Sequence, residues 1–211
     1  MSEYQLKENL YIGATPAGAY YGSSAAEGNP SRRLLRALFL QDSSPLLTRE
    51  AVRRWSEAES EDAAMDLLFH AQKIGWVEGY AAPLAAPQGS LEDVLPDLLV
   101  VLSSQSKALL ADTQGFYVCS QGFPHETAEA LSALSADIAS LHERHQRLLG
   151  NNLGLETSAW ALVEASGSSR IGFWPLFIGE QRFVLVIAGN PQFNQPALTS
   201  LVWALSKRYG V

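Results

Sequence analysis

Apolar side chains recur every three or four positions through residues 31–74, and strand-sized runs alternate with helical ones after residue 90. The segment NLYIGATPAGAYYGSS opens with Leu10-Tyr11-Ile12, a strand candidate, and its glycines predict a loop or hairpin for the rest. Three helices are then expected. The first runs from about Ser31 to Leu40, and the second from the N-cap candidate Thr48 to about Ser56. The third runs from the N-cap candidate Ser60 to Ile74, before Gly75, with Ala64, Leu67, Leu68, Ala71 and Ile74 on one face. Trp76 to Tyr80 reads as a short strand. Residues 1–80 therefore predict a small, mainly helical, winged-helix-like N-terminal domain. The stretch AAPLAAPQGS at 81–90, with two prolines and a Gly-Ser end, predicts a linker.

Residues 91–211 predict a second domain. A helix spans about Leu91 to Leu102. Strands at Lys107 to Asp112 and Gly115 to Gln121 flank Asp-Thr-Gln-Gly, a hairpin signal. A long helix is expected from His125 to Leu149, then strands at Thr157 to Ala165, Arg170 to Ile178 and Arg182 to Ala188. A final helix starts at Pro196 and keeps Leu198, Leu201, Val202, Leu205 and Tyr209 on one stripe. The expected class is α+β, with a five-stranded antiparallel sheet flanked by helices.

The long helix carries the most distinctive pattern. Leu131, Leu134, Ile138, Leu141, His145 and Leu148 follow a three-four spacing over nearly three heptads. Small residues, Ala130, Ala133, Ala136, Ala139 and Ser132, Ser135, Ser140, lie beside them. The leucine seam is expected to cover the chain's own sheet in part. From Ala130 to Leu141 the only charge is Asp137, sparse for a solvated face, which points to a second contact with a copy of the same helix.

Charge and composition narrow the function. Of 211 residues 47% are hydrophobic and 18% charged, enough to bury a core and too apolar for disorder. The net charge of -7 gives no general attraction to nucleic acid or to an anionic membrane. The sole cysteine, Cys119, forms no internal disulfide and suits a reducing cytosol. The polar N-terminus MSEYQLKENL lacks a signal-peptide core, and the longest apolar run, Phe183 to Ala188, is far short of a membrane span. A cytoplasmic protein is expected.

Catalytic signals are missing where they would be needed. Gly13 and Gly18 have Walker-loop spacing, but Ala19 and Tyr20 stand where Lys and Ser/Thr must reach phosphate and magnesium. His142-Glu143-Arg144-His145 places its histidines three apart rather than four, with no third ligand, so a helix surface with His145 partly buried is expected instead of zinc. Cys119 reads as a structural thiol, and Glu92-Asp93 as charge suited to a helix start. No cofactor, metal or catalytic residue is assigned, and an enzyme is not expected.

A winged helix raises DNA binding by a transcription-related protein as the alternative, with the C-terminal domain as dimeriser or sensor. Against it, the third helix carries Glu61, Asp62 and Asp66 beside a single Lys73, and residues 1–90 hold eight Lys/Arg against eleven Asp/Glu. The basic residues Arg32, Arg33, Arg36, Arg49, Arg53 and Arg54 sit on the first two helices.

The segment ALLADTQGFYVCSQGFPHETAEALSALSADIASL resembles the roadblock/dynein-light-chain domain family, through Ala111, Asp112 and Gly115, Gly122, and the Ala/Leu-rich helix that follows. Asn190 and Asn194 before the last helix are compatible with that pattern. The resemblance covers about residues 91–211 and leaves the first 80 outside it. It implies a non-catalytic scaffold that dimerises by laying the long helix against its mate and joining sheet edges, with a partner such as a Ras-like small GTPase. The interface expected on this basis comprises Leu131, Ala133, Leu134, Ala136, Ile138, Leu141, Trp160 and Leu162. Trp203 lies off the apolar stripe of the last helix, and Trp174 opposite Ile171, Phe173 and Phe177 on its strand. Both are candidate partner contacts unless the N-terminal segment covers them.

Overall fold

The computed structural model describes Leu6, Lys7 and residues 9–210; Met1–Gln5 and Glu8, part of the polar N-terminus read above, lie outside the described residues. Its N-terminal part is β1 (Tyr11–Ala14), α1 (Pro16–Ser23), α2 (Pro30–Phe39), α3 (Arg49–Ser56), α4 (Glu61–Lys73) and β2 (Val77–Tyr80). β1 and β2 pair antiparallel, with Tyr11 opposite Tyr80, so the ribbon is closed by the first and last elements of this part. Thr48 and Ser60 cap α3 and α4 as their positions predict, accepting from Ala51 N and Ala63 N at 3.1 Å each.

The loop or hairpin expected after β1 is instead the helix α1. Thr15 caps it by accepting from Gly18 N at 3.1 Å, and Pro16 occupies its first turn. Its glycines serve packing: a Cβ on Gly18 would lie 2.0 Å from the carbonyl oxygen of Trp76. A residue type that lowers helix propensity in isolation is required here by close approach.

The C-terminal part is α5 (Leu91–Val101), β3 (Ala108–Ala111), β4 (Tyr117–Gln121), α6 (His125–Arg144), β5 (Trp160–Val163), β6 (Ser169–Ile178), β7 (Gln181–Ala188) and α7 (Pro196–Tyr209). The fold is α+β, and the five strands form one antiparallel sheet in the order β4-β3-β7-β6-β5. The long helix ends at Arg144, five residues before the expected Leu149, and a π-helical turn follows over Arg147–Asn152.

Alternation along the strands divides the core into two layers. Leu109, Ala111, Phe173, Val184 and Val186 point to the face covered by α6. Ala108, Leu110, Leu176, Ile178, Phe183, Leu185 and Ile187 point to the opposite face, against α5 and α7. Beyond α7 lie α1 and α2, so α7 is enclosed between the sheet and the N-terminal helices.

The core continues on both sides of residues 81–90. One cluster of buried side chains runs from Ile12, Leu34 and Val52 through Leu99 to Leu185 and Leu201. The 81–90 segment itself is tied down. Leu84 O accepts from Ser44 N at 2.7 Å, Asp42 O accepts from Ala86 N at 2.9 Å, and Ala86 is buried.

Candidate protein-interaction surface

The turn that carries the Ala-Asp-x-x-Gly motif is a joint between the sheet and α6. Asp112 Oδ1 accepts from Gln114 N at 2.9 Å and from Phe116 N at 3.0 Å, closing the β3–β4 turn. Gly115 takes a left-handed φ of +86°, and a Cβ there would lie 3.2 Å from Ala136 Cβ and 3.3 Å from Ala133 Cα. Buried Ala111 packs in the layer beneath α6. The motif residues thus set how closely the turn meets the helix.

Which face of α6 meets the sheet differs from the expectation. Ala128, Ser132, Ser135 and Ala139 are the buried positions. Their small side chains let the helix backbone settle close to the strands. The two hydroxyls are satisfied within the helix, Ser132 Oγ donating to Ala128 O at 2.8 Å and Ser135 Oγ to Ser132 O at 2.7 Å. Leu131 and Ile138 are half-buried. Leu134, Leu141 and Leu148 are 41%, 36% and 48% exposed. The leucine seam, expected to cover the sheet in part, turns largely outward.

The expected interface residues separate onto two flanks of α6. Ala136 and Ala133 flank the Gly115 turn, on the β4 side. Leu131, Leu134, Ile138 and Leu141 lie on the other flank, toward β6 and β5. There Trp160 Nε1 donates to His142 Nδ1 at 3.2 Å, and Trp160 stands opposite Phe173 in the β5–β6 register. Leu162, opposite Ile171, projects to the same face and is 63% exposed. α6 packs chiefly on β3, β4 and β7 and reaches β6 and β5 through Ile138 near Phe173 and His142 at Trp160. β5 is also a sheet edge with an unpaired side. Leu134 and Leu141 on α6 and Leu162 on the edge strand are all exposed.

His145, expected to be partly buried, is exposed. His142 is engaged by Trp160, and among the described residues no group of three or more His, Cys, Asp or Glu is placed to hold a metal ion. Cys119 is half-buried, and desolvation raises its thiol pKa against the lowering effect of bonds to Gln121 and Ser120.

Trp203 is not a free partner contact. It is 8% exposed, donates its indole N–H to Gln41 O at 2.9 Å and meets Phe39 edge-on at 6.3 Å between centroids. Both sides of α7 are covered, so a residue off its main stripe is also interior. Trp174 does point away from Phe173, and there it is half-buried against Phe193 at 5.2 Å.

The arginines of α2 are committed to the chain itself. Arg36 donates to the carbonyls of Gly22 and Ala26 at 2.9 and 3.1 Å and also to Ala25, and burial lowers its pKa. Arg32 donates to Tyr21 O at 3.2 Å and lies 4.4 Å over the Tyr21 ring. Arg33 pairs with Ser56 O and Glu57, both at 3.2 Å. Arg49, Arg53 and Arg54 on α3 are exposed.

Two solved structures are similar to part of this chain. One is a Roadblock/LC7 domain from Streptomyces avermitilis, 16% identical, covering 54% of this chain and 89% of its own, with a TM-score of 0.35. The other is the gliding protein MglB from Thermus thermophilus, 17% identical, covering 59% of this chain and 94% of its own, also with a TM-score of 0.35. No family model and no curated protein matches the sequence. Among the described residues no helix is long and apolar enough to cross a membrane.

Proposed function

We propose that this chain is a non-catalytic interaction module that forms a two-fold homodimer through α6 and β5 and, as a dimer, docks a protein partner of the Ras-like small-GTPase class in the cytoplasm. The observation that carries the reading is the exposure of Leu134 and Leu141 on α6 together with that of Leu162 on the edge strand β5. Apolar surface of this kind is stable in water when another surface covers it. A second α6 laid along the flank covers the leucines and the β6–β5 end together. Two β5 edges pair their free backbone groups at the same time. The buried area expected for such an interface is roughly 1,500 Å² or more in total. The GTPase part rests on the motif resemblance at Ala111, Asp112 and Gly115.

Light scattering on the wild type and on Leu134→Glu/Leu141→Glu tests the assembly. A dimer for the wild type and a folded monomer for the variant are expected. A wild type that is monomeric at micromolar concentration refutes the proposal. Binding of a purified Ras-like GTPase by the wild type and not by the monomeric variant tests the partner.

A further inference from the structure

A cavity of about 320 Å³ opens between the β1–β2 ribbon, α2 and α7, remote from the α6 flank. Its volume falls at the lower end of the range of small-molecule sites, roughly 300–1,000 Å³. Ile12, Leu38, Phe39 and Trp203 supply apolar and aromatic walls, and Tyr80 and Glu78 add a phenol and a carboxylate. Among the described residues no Lys, Arg or His lines it.

Three features give this space a chemical preference. Tyr80 donates its hydroxyl to Glu78 Oε1, and no partner engages Oε2 among the described residues. Burial first, then the neighbouring carboxylate, raises the Tyr80 pKa, so the phenol stays a donor to Glu78. Gly13, opposite Glu78 in the ribbon, leaves room for the Tyr80 ring, because a Cβ there would lie 2.9 Å from Tyr80 Cε2. On the α7 wall, the Thr199 hydroxyl oxygen is buried without a hydrogen-bond partner, a group left for a bound molecule to satisfy.

We infer that this cavity binds a small organic cation: an ammonium group on an apolar or aromatic body, with a second polar group for Thr199. The ammonium is drawn to Glu78, and Trp203, Phe39 and Tyr80 provide aromatic surface for the cation and its body. An anionic ligand of the same shape meets the Glu78 carboxyl group with no basic residue among the described lining residues. The site lies in the N-terminal part and α7, so it stands apart from the proposed dimer.

Tyramine and 3-(4-hydroxyphenyl)propionate share a phenol and differ in the sign of their charge, which makes them a suitable probe pair for calorimetric titration. Saturable binding of one tyramine per chain is expected, at least about ten-fold tighter than the propionate. Glu78→Gln should erase that preference, and Thr199→Val should weaken tyramine with Glu78 intact. Ser200→Trp, which fills the space from the α7 wall, should abolish tyramine binding and provides a second test if Glu78→Gln does not fold. Equal affinity for the two probes overturns the inference. So does the absence of saturable tyramine binding to the wild type up to about 10 mM, and so does a preference that survives Glu78→Gln.

Discussion

Trp160 on the edge strand donates its indole N–H to His142 Nδ1 on α6 at 3.2 Å, with the two rings nearly perpendicular. This bond ties the outer strand to α6. An edge held in this way is prepared for pairing with little further ordering.

Leu162 is the neighbour that the Trp160 anchor leaves most open to solvent. Leu162→Lys adds charge to an exposed edge position and removes little packing within the chain, so the thermal midpoint should fall by no more than a few degrees. The dimer should weaken by at least about ten-fold in analytical ultracentrifugation. A dimer constant unchanged by this substitution removes β5 from the interface.

Gly115 is the hinge of the turn against α6. Any side chain there meets both the left-handed backbone and the Ala136 methyl group 3.2 Å away. Gly115→Val is expected to destabilise the monomer by about 2 kcal/mol or more, read from urea unfolding. Ala133→Glu/Ala136→Glu is expected to act the same way, loosening the turn, and so to lower stability more than Leu134→Glu/Leu141→Glu does. Reversal of that order would show that the alanine flank, rather than the leucine flank, faces a partner.

The strands were legible as runs between turn residues because local alternation decides them. β6 and β7 start within one residue of their predicted positions. The face of α6 was not, since pattern reading assigns the largest apolar residues to the sheet, whereas Ser132 and Ser135 are buried there by closing their own hydrogen bonds. α1 was illegible for a related reason: its glycines satisfy a contact with Trp76, 58 positions on from Gly18, which no local window contains. The exposed Leu134 was visible only as part of a stripe, and the edge position of β5 needs the strand order to be known.

Duplex DNA binding is expected to be absent. Arg32, Arg33 and Arg36 spend their guanidinium groups on carbonyls and Glu57, leaving Arg49, Arg53 and Arg54 exposed on α3, while the first turn of α4 carries Glu61 and Asp62. Fluorescence anisotropy with a random duplex at about 50 mM salt should show no saturation at micromolar protein. Binding that weakens steeply as salt rises would instead favour the transcription-related alternative.

Cys119 should be a slow thiol. Its raised pKa keeps it protonated to higher pH than an exposed cysteine. The neutral form is favoured by the fold, so its contribution to stability is full below the unfolded-state pKa and is lost as pH rises through the folded one. Ellman's reagent should react many-fold more slowly with the native protein than with the protein in denaturant. Equal rates would place the thiol in open solvent.

Trp203 joins the two parts of the chain. Its N–H reaches Gln41 O, 162 positions earlier in sequence, and its ring meets Phe39 while lining the cavity. Truncation removes a large buried aromatic and leaves that carbonyl unpaired. Trp203→Ala is therefore expected to destabilise the whole protein by about 3–5 kcal/mol. Trp203→Phe, which keeps most of the ring but lacks the donor, should lose less. Because one buried cluster spans both parts, unfolding followed by far-UV dichroism and by tryptophan fluorescence should shift together in the alanine variant. A variant that binds partner weakly yet unfolds like the wild type would mean that Trp203 is a surface contact and that α7 is not enclosed by the N-terminal helices.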